Sequence, residues 1–458
     1  MAYDAIIVGG GPGGYPAAIR LSELGYKVLL VEEDRLGGEC TNYGCVPTKS
    51  LRSVAASLDH LSRINYNINN IIGESFSFAR NIANDVSTSI ESLLASYDVE
   101  VVNGRARVLP SKTVDINGRI YEARKAIILS TGSTPLIPQW ANVDGRRVHD
   151  NRSILNFEFE SIDSIAVVGG GYIGVEYSFI LARLGLKVTL IEALDRLLPG
   201  MDRDFGLLAR RMLSRLGVKI LLKTPVNKVK LNDKSIEILT SNGSIHADSL
   251  LIAIGRVPRN EEARRIGLDL DRKGFVKTNK CGQTSMPGIY AAGDIAGPPL
   301  LAHKAMKQAV NVSECINGGK PRGIDPIPQV VFGPVDFVSV GITLEEARSM
   351  GLNAVEVRIP VGGLAKSRIY GIKEGFTKII YNKLDKKIIG IHMAYPDAGE
   401  SAAIAALIVR KGLTVEEASE VVFPHPTMSE ALSEALEAAS DRPIHIRGFR
   451  VREVKPSG

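Results

Sequence analysis

Cysteine is scarce, with four residues in a chain of 458. That excludes a small secreted scaffold held by a framework of disulfides. Cys281 and Cys315 each stand alone in the sequence, and Cys40 and Cys45 lie five positions apart. Long apolar runs are missing too. Nothing approaches the roughly 18 residues of a membrane span, and the first apolar run, Ala5 to Val8, is too short for a signal peptide. Charge of one sign is not massed anywhere. The net charge is +6, and no block of like charges reads as a nucleic-acid arm. Arg447, Arg450, Arg452 and Lys455 read as a solvated tail. These absences point to a cytoplasmic protein with no membrane or nucleic-acid partner, and leave open a mitochondrial form that has lost its transit peptide.

What is present is ordinary globular composition, 45% hydrophobic and 23% charged, with abundant glycine at 45 residues. At roughly 150 residues per domain the length suggests about three domains.

The glycines are patterned. Residues 4–32 read DAIIVGGGPGGYPAAIRLSELGYKVLLVE, and residues 164–192 read SIAVVGGGYIGVEYSFILARLGLKVTLIE. At an offset of 160, without a gap, 12 of the 29 positions are identical. Each segment runs strand, glycine turn, amphipathic helix, Leu-Gly stop, strand, glutamate, the order of a Rossmann βαβ unit. Gly9 and Gly169 permit the tight turn, Gly11 and Gly171 let the backbone approach a pyrophosphate, and Gly14 and Gly174 let helix and strand pack closely. The helix N-terminus then faces the phosphates. Glu32 and Glu192, each 23 residues after the first glycine, can accept hydrogen bonds from a ribose diol. Two fingerprints with identical spacing imply two dinucleotides. Glu192 favours NAD over NADP, because a carboxylate repels a 2′-phosphate; Arg196 nearby dilutes that preference.

Directly after the first unit comes LGGECTNYGCVPTKS. On an ideal helix Cys40 and Cys45 would lie about 140° apart around the axis, beyond ordinary disulfide reach. A bridge therefore needs a distorted turn, which Gly44 and Pro47 make available. So short a loop constrains the unfolded chain little and is a poor staple; a bridge of this kind is the labile, catalytic sort.

GGECTNYGCVPTKS resembles the redox-disulfide segment of the pyridine nucleotide–disulfide oxidoreductases, most closely their dihydrolipoamide dehydrogenase branch. SerThrGlySer at 130–133, AIGRVPRN at 253–260, YAAGDIAG at 290–297, LAHKA at 301–305 and HPTMSE at 425–430 follow in the family's order. The resemblance implies an α/β fold with two Rossmann-like domains, for FAD and NAD, and a C-terminal α+β dimerisation domain. The expected division is FAD domain 1–145 and 268–333, NAD domain 146–267 and interface domain 334–458.

It also implies roles. Cys45 would stack near the flavin and form a thiolate–flavin charge-transfer pair, and Cys40 would exchange with substrate. Lys49, paired with Glu176, would sit near the flavin. Gly9, Gly11, Gly14, Glu32, Lys49, Thr131, Gly132, Gly293, Asp294 and the helix start at Ala302 and His303 would hold FAD, with Asp294 on the ribitol. Gly169, Gly171, Gly174, Glu192, Gly255 and Arg256 would hold NAD. His425, oriented by Glu430, would be the general base, reaching the partner subunit's site in a homodimer. For His60, His149, His246, His392 and His445 a surface or capping role is expected. No metal is expected. Ser130, where alanine is common, Pro16 in the flavin helix, and the loosely matching VFGPVDFVSVG at 331–341 depart from the pattern.

The implied activity is oxidation of a dihydrolipoyl dithiol, free or on a 2-oxo-acid dehydrogenase complex, with NAD. Alternatives are a glutathione-type reductase, which Glu192 opposes; a mercuric reductase, opposed by a C-terminus without cysteine; a coenzyme A disulfide reductase, opposed by the cysteine pair; and a non-catalytic flavin sensor. In the C-terminal part, TKIIYNKLDKKIIGIHMAY reads as a hairpin and AAIAALIVRKGLTVEEASEVV as helices. Helices are also expected within 52–100.

Overall fold

The computed structural model describes residues 1–454 except 63, 67, 69, 70, 160, 161, 233 and 234. It comprises two compact units: Met1–Leu51, Ile72–Glu160 and Ile252–Ile324 form the first, and Arg52–Ile71, Ser161–Leu251 and Asp325–Gly458 the second.

The first unit is built on a seven-stranded sheet. Its parallel centre is Glu100–Asn103, Val28–Glu32, Ala2–Val8, the C-terminal half of Arg119–Leu129 and Ile289–Ala291. An antiparallel meander, Ala106–Leu109 and Thr113–Ile116, extends the same sheet. Ala5, Ile6 and Ile7 are all fully buried, as are Ile127 and Ile128. Consecutive buried positions mean both faces are covered, which is why these strands are apolar throughout rather than alternating. One face carries the helix Tyr15–Glu23, which packs beside Ala302–Ile316. The expected helices after residue 52 appear as Cys45–Ser62 and Ile72–Ser96.

The second unit repeats the parallel motif with Ser164–Val168, Lys187–Ile191 and Lys219–Leu221. An antiparallel three-stranded sheet, Val226–Leu231, Ile236–Thr240 and Gly243–Ala247, follows. A six-stranded antiparallel sheet completes the unit, in the order Gln329–Phe332, Asp336–Gly341, Ile388–Tyr395, Phe376–Asn382, Ala354–Pro360 and Arg450–Val454. The expected hairpin is the pair Phe376–Asn382 and Ile388–Tyr395. Helices Ala402–Lys411 and Glu430–Ala439 cover the sheet and close one large apolar core with it.

Three expectations are corrected. The basic residues Arg447, Arg450 and Arg452 are exposed as expected, but Arg450 and Arg452 are no loose tail: they belong to an edge strand held to Ala354–Pro360 by backbone pairing, while Lys455 lies outside the described residues. His392 is fully buried, its ring nitrogens placed on Ser339 Oγ at 2.9 Å and the Ile342 carbonyl at 3.1 Å. His149 is also fully buried, against Phe157 at 4.3 Å between ring centroids.

A buried ion cluster joins the helix Arg203–Arg215 to the six-stranded sheet. Lys378 Nζ lies 2.9 Å from Asp202, 2.9 Å from Asp204 and 3.3 Å from Glu356. Burial pulls the Lys378 pKa down, but Asp202, Glu356 and Asp204 more than offset it, so the ammonium stays charged.

Candidate active site

The strand Ala2–Val8 ends at Gly9, whose φ is +104°. A side chain there is excluded twice, by that backbone conformation and by the Ser130 carbonyl 2.3 Å from where a Cβ would sit. The helix Tyr15–Glu23 that follows begins at Gly14 with no side-chain cap. Gly14 and Tyr15 N–H are taken by the Gly11 carbonyl at 2.8 and 3.1 Å and Pro16 has none, so what this helix end offers a pyrophosphate is the positive end of its dipole. A Cβ at Gly11 would meet only the Gly38 Cα, at 3.7 Å, so the backbone face there is open to a ligand. The residues fit FAD.

Glu32 closes the turn from the other side. Its Oε2 accepts the Gly10 N–H at 2.7 Å and its Oε1 the Asp34 N–H at 2.8 Å. Burial nonetheless keeps its pKa above the usual value, because it outweighs those two donors. The second unit repeats the arrangement. Glu192 accepts Gly170 N–H at 2.5 Å and Leu194 N–H at 2.7 Å, and the helix Tyr172–Arg183 starts at Gly171 without a side-chain cap. Both carboxylates hold glycine-turn amides, a role that adds to the expected ribose contact. Each carboxylate has lone pairs left for a diol.

The cysteine segment is two helices broken by one residue. Gly38–Tyr43 is a short helix, Gly44 takes non-helical torsions (φ −129°, ψ −107°), and a new helix begins at Cys45. A Cβ on Gly44 would lie 3.0 Å from the Glu39 carbonyl and 3.4 Å from Cys40 Cα. The break thus folds Cys45 back onto Cys40, as the five-residue spacing demanded. The pair is in the dithiol form. The Cys40 thiol is pushed far up, first by its hydrogen bond with Cys45, then by burial, with Lys49 opposing. Lys49 lies one turn further along the Cys45–Ser62 helix.

Glu39, next to Cys40, anchors a charge network absent from the sequence reading. Its Oε1 lies 3.1 Å from Arg256 Nη2 and 2.8 Å from Asn151 Nδ2. Its Oε2 lies 2.6 Å from Arg152 Nη2 and 2.8 Å from Arg152 Nε. Burial raises its pKa, but Arg256 and Arg152 overcome that, and the carboxyl sits below its usual range. Arg256 continues the chain: Nε and Nη2 donate to Ser133 Oγ and O, both at 2.8 Å, and Ser133 Oγ donates to Asp294 at 2.6 Å. Asp294 and the residue preceding Cys40 are therefore linked by two side chains. Gly255 and Arg256, expected on the nicotinamide nucleotide, lie in the first unit, and the guanidinium is turned to Glu39 and Ser133.

Thr131 Oγ1 donates to the Arg259 carbonyl at 2.7 Å, and Gly132 O accepts the Arg259 N–H at 3.0 Å. This ties the SerThrGlySer segment to the strand Arg256–Pro258, which pairs with Ser133–Pro135. The turn at Gly293 and Asp294 is held by the helix Ala302–Ile316. Buried Lys304 donates to the Gly293 and Gly297 carbonyls, and Gln308 accepts the Gly293 N–H at 3.0 Å. That helix starts at Leu301, before Ala302 and His303, again without a side-chain cap. Lys304 and Gln308 escaped the sequence reading, although LAHKA contains the lysine.

In the second unit, His425 Nδ1 lies 2.7 Å from Glu430 Oε1. The other oxygen accepts the Thr427 N–H at 2.9 Å, so the carboxylate is itself held, at the start of the helix Glu430–Ala439. The imidazole is 68% exposed. Four residues on, Glu434 pairs with His445 Nδ1 at 2.6 Å, a contact that the expected surface or capping role did not include. Glu176 is buried and accepts the Phe332 N–H at 2.9 Å; Lys49 belongs to the first unit and Glu176 to the second.

Family comparison agrees with this geometry. Residues 3–309 match the pyridine nucleotide-disulphide oxidoreductase model, and residues 327–436 match that family's dimerisation domain. Dihydrolipoyl dehydrogenase from Thermus scotoductus is 35% identical over 97% of this chain and 99% of its own length. The enzyme of the same name from Geobacillus stearothermophilus is 32% identical, covering 97% of each. Among solved structures, the HOCl-induced flavoprotein disulfide reductase from Escherichia coli superposes with a TM-score of 0.87 at 26% identity, over 95% of this chain and 99% of that one. Among the described residues no helix is long and apolar enough to cross a membrane. The chain belongs to the pyridine nucleotide–disulphide oxidoreductase family, which works with FAD and NAD, and it carries that family's dimerisation domain.

Proposed function

We propose that the protein oxidises a dihydrolipoyl dithiol to the cyclic disulfide and delivers the electrons to NAD. The observation that carries this reading is the cysteine pair, folded back at Gly44 beside a glycine turn that fits FAD. The first unit is the FAD-binding part, 161–251 the NAD-binding part and the C-terminal sheet the dimer interface.

In this reading the oxidised enzyme carries a Cys40–Cys45 bridge. A substrate thiolate attacks Cys40, and the second substrate thiol closes its own ring and releases the dithiol. Only a thiolate is competent in that exchange, so a base is needed. His425 takes the proton at Nε2, because Nδ1 is engaged by Glu430, which fixes the ring's orientation. In the dithiol, Cys45 is the sulfur that ionises, being the first residue of an 18-residue helix. Lys49, one turn further along the same helix, supports the negative charge. FAD, which the glycine turn at Gly9 to Gly14, Glu32, Gly293, Asp294 and the helix start at Ala302 would hold, would supply the two-electron chemistry that links the dithiol to NAD. Glu192 selects NAD by its charge. A lipoyl domain of a 2-oxo-acid dehydrogenase complex, in the cytoplasm, is the proposed partner.

The test is a steady-state comparison of dihydrolipoamide with NAD against glutathione disulfide with NADPH. A higher kcat/KM for the first pair is expected. Preference for the second would overturn the substrate assignment, and no turnover with either would make the protein a flavin-binding sensor.

A further inference from the structure

The two cysteines that stand alone in the sequence are bonded to each other. Cys281 and Cys315 form a disulfide with 5.7 Å between Cα atoms across a separation of 34 residues. The sequence alone assigns these two cysteines no role.

The placement of the bridge is specific. Cys281 sits in a turn organised by Asn279, whose Oδ1 accepts the N–H groups of Cys281 and Gln283 at 2.9 and 3.0 Å. The turn hangs on the strand Ile289–Ala291 through Ala291 N–H to Gly282 O, 2.8 Å. Cys315 lies in the last turn of the helix Ala302–Ile316. Asn311 of that helix also donates to the Lys280 carbonyl at 3.0 Å. The closed ring thus contains Gly293, Asp294, Ala302 and His303. Within it, Lys304 and Gln308 already fasten the helix to the Gly293–Asp294 turn. The bridge fastens the other end of the same helix to the approach of the strand that leads into that turn.

We propose that Cys281–Cys315 is a permanent structural cross-link that fixes the second flavin-binding segment and takes no part in the catalytic electron path. The flavin half of this proposal rests on the reading that Gly293, Asp294, Ala302 and His303 hold FAD; the cross-link itself does not. The contrast with the catalytic pair is one of ring size. Cys40 and Cys45 close a loop too short to restrict the unfolded chain, whereas a ring of this length removes substantial chain entropy. Such bridges are unusual inside cells outside hyperthermophiles, so the bond must be shown in the protein as it is made.

Cells are quenched with acid and iodoacetamide, and the purified holoenzyme is mapped by mass spectrometry before and after anaerobic NADH. Cys281 and Cys315 are expected as one linked peptide in all three samples, with NADH exposing only Cys40 and Cys45 to alkylation. Unlinked Cys281 in quenched cells, or its alkylation after NADH alone, would overturn the proposal. The double variant Cys281→Ser/Cys315→Ser supplies a second readout. The apoprotein melting temperature is expected to fall by about 5–10 °C. Flavin release, followed by fluorescence, is expected to accelerate by on the order of tenfold, while the dithiol-reduced spectrum at low temperature stays unchanged. A melting temperature within a degree of the parent's would refute the staple. A fall without faster flavin release would refute the link to the flavin segment alone. Failure of the wild-type protein to retain FAD would refute the flavin reading and leave the cross-link standing.

Discussion

Replacing Glu39 by glutamine keeps the side chain's shape and removes its charge. In the parent, that carboxylate is approached by Arg256, whose side chain is 15% exposed, and by Arg152, which is 36% exposed. A pair broken in a fully buried site costs about 3–5 kcal/mol, and an exposed pair about 0–1 kcal/mol. Arg152 is exposed enough that its share is discounted, so the loss is about 1–2 kcal/mol, or a melting shift of roughly 2–8 °C for a unit of this size. Glu39 has a depressed pKa in the folded state. Its contribution is therefore complete above the unfolded carboxylate value, near about 4.3, and disappears as pH falls through the folded value. Parent and Glu39→Gln should differ at pH 7, and the difference should vanish at a second, acidic pH below that folded value. Thermal unfolding of both proteins at the two pH values measures this. The variant should also lose dithiol turnover by on the order of tenfold, since a small displacement of Cys40 is enough, while NADH reduction of an artificial acceptor is unaffected. A deficit that persists unchanged at low pH, or no deficit at pH 7, would refute the argument.

Gly44→Ala should separate the two cysteines, because its Cβ meets the Glu39 carbonyl at 3.0 Å and Cys40 Cα at 3.4 Å. Slower re-formation of the Cys40–Cys45 bridge after reduction, read by thiol titration, is the expected sign. His149 is fully buried and burial lowers its pKa to about 4. A depressed histidine contributes stability above about pH 6.5 that is lost as pH falls toward 4; His149→Phe should flatten that limb by about 2–3 kcal/mol in denaturant titrations, and an unchanged limb would assign it to other groups. The ratio of kcat/KM for NAD to that for NADP should exceed ten and shrink in Glu192→Ala; a reversed ratio would overturn the reading of the second fingerprint.

The parts of the molecule that were legible in the sequence are local. A strand, a glycine turn and a helix follow one another within thirty residues, and Glu32 and Glu192 end the same unit. The Gly44 break was foreseeable because helical geometry cannot bring Cys40 and Cys45 together. The parts that stayed hidden are joined across distance. Glu39, Asn151, Arg152 and Arg256 come from three segments, and nothing in any one of them announces the others. The Cys281–Cys315 bond needs the register of Ile289–Ala291 and the length of the helix Ala302–Ile316 to be known at once. Lys378, on a strand that reads as apolar, is a buried cation only because Asp202, Asp204 and Glu356 meet it from other elements. His149 and His392 look like any solitary histidine until their surroundings are seen.

The central claim is that Cys40 and Cys45 are the redox pair, with Cys45 as the sulfur beside the flavin. Anaerobic titration of the holoenzyme with dihydrolipoamide, alongside Cys40→Ser and Cys45→Ser, tests it most directly through long-wavelength charge-transfer absorbance. The parent should develop the band after one equivalent, Cys40→Ser should show it without any reductant, and Cys45→Ser should never show it. A band that survives in Cys45→Ser, or that is lost in Cys40→Ser alone, would contradict the account.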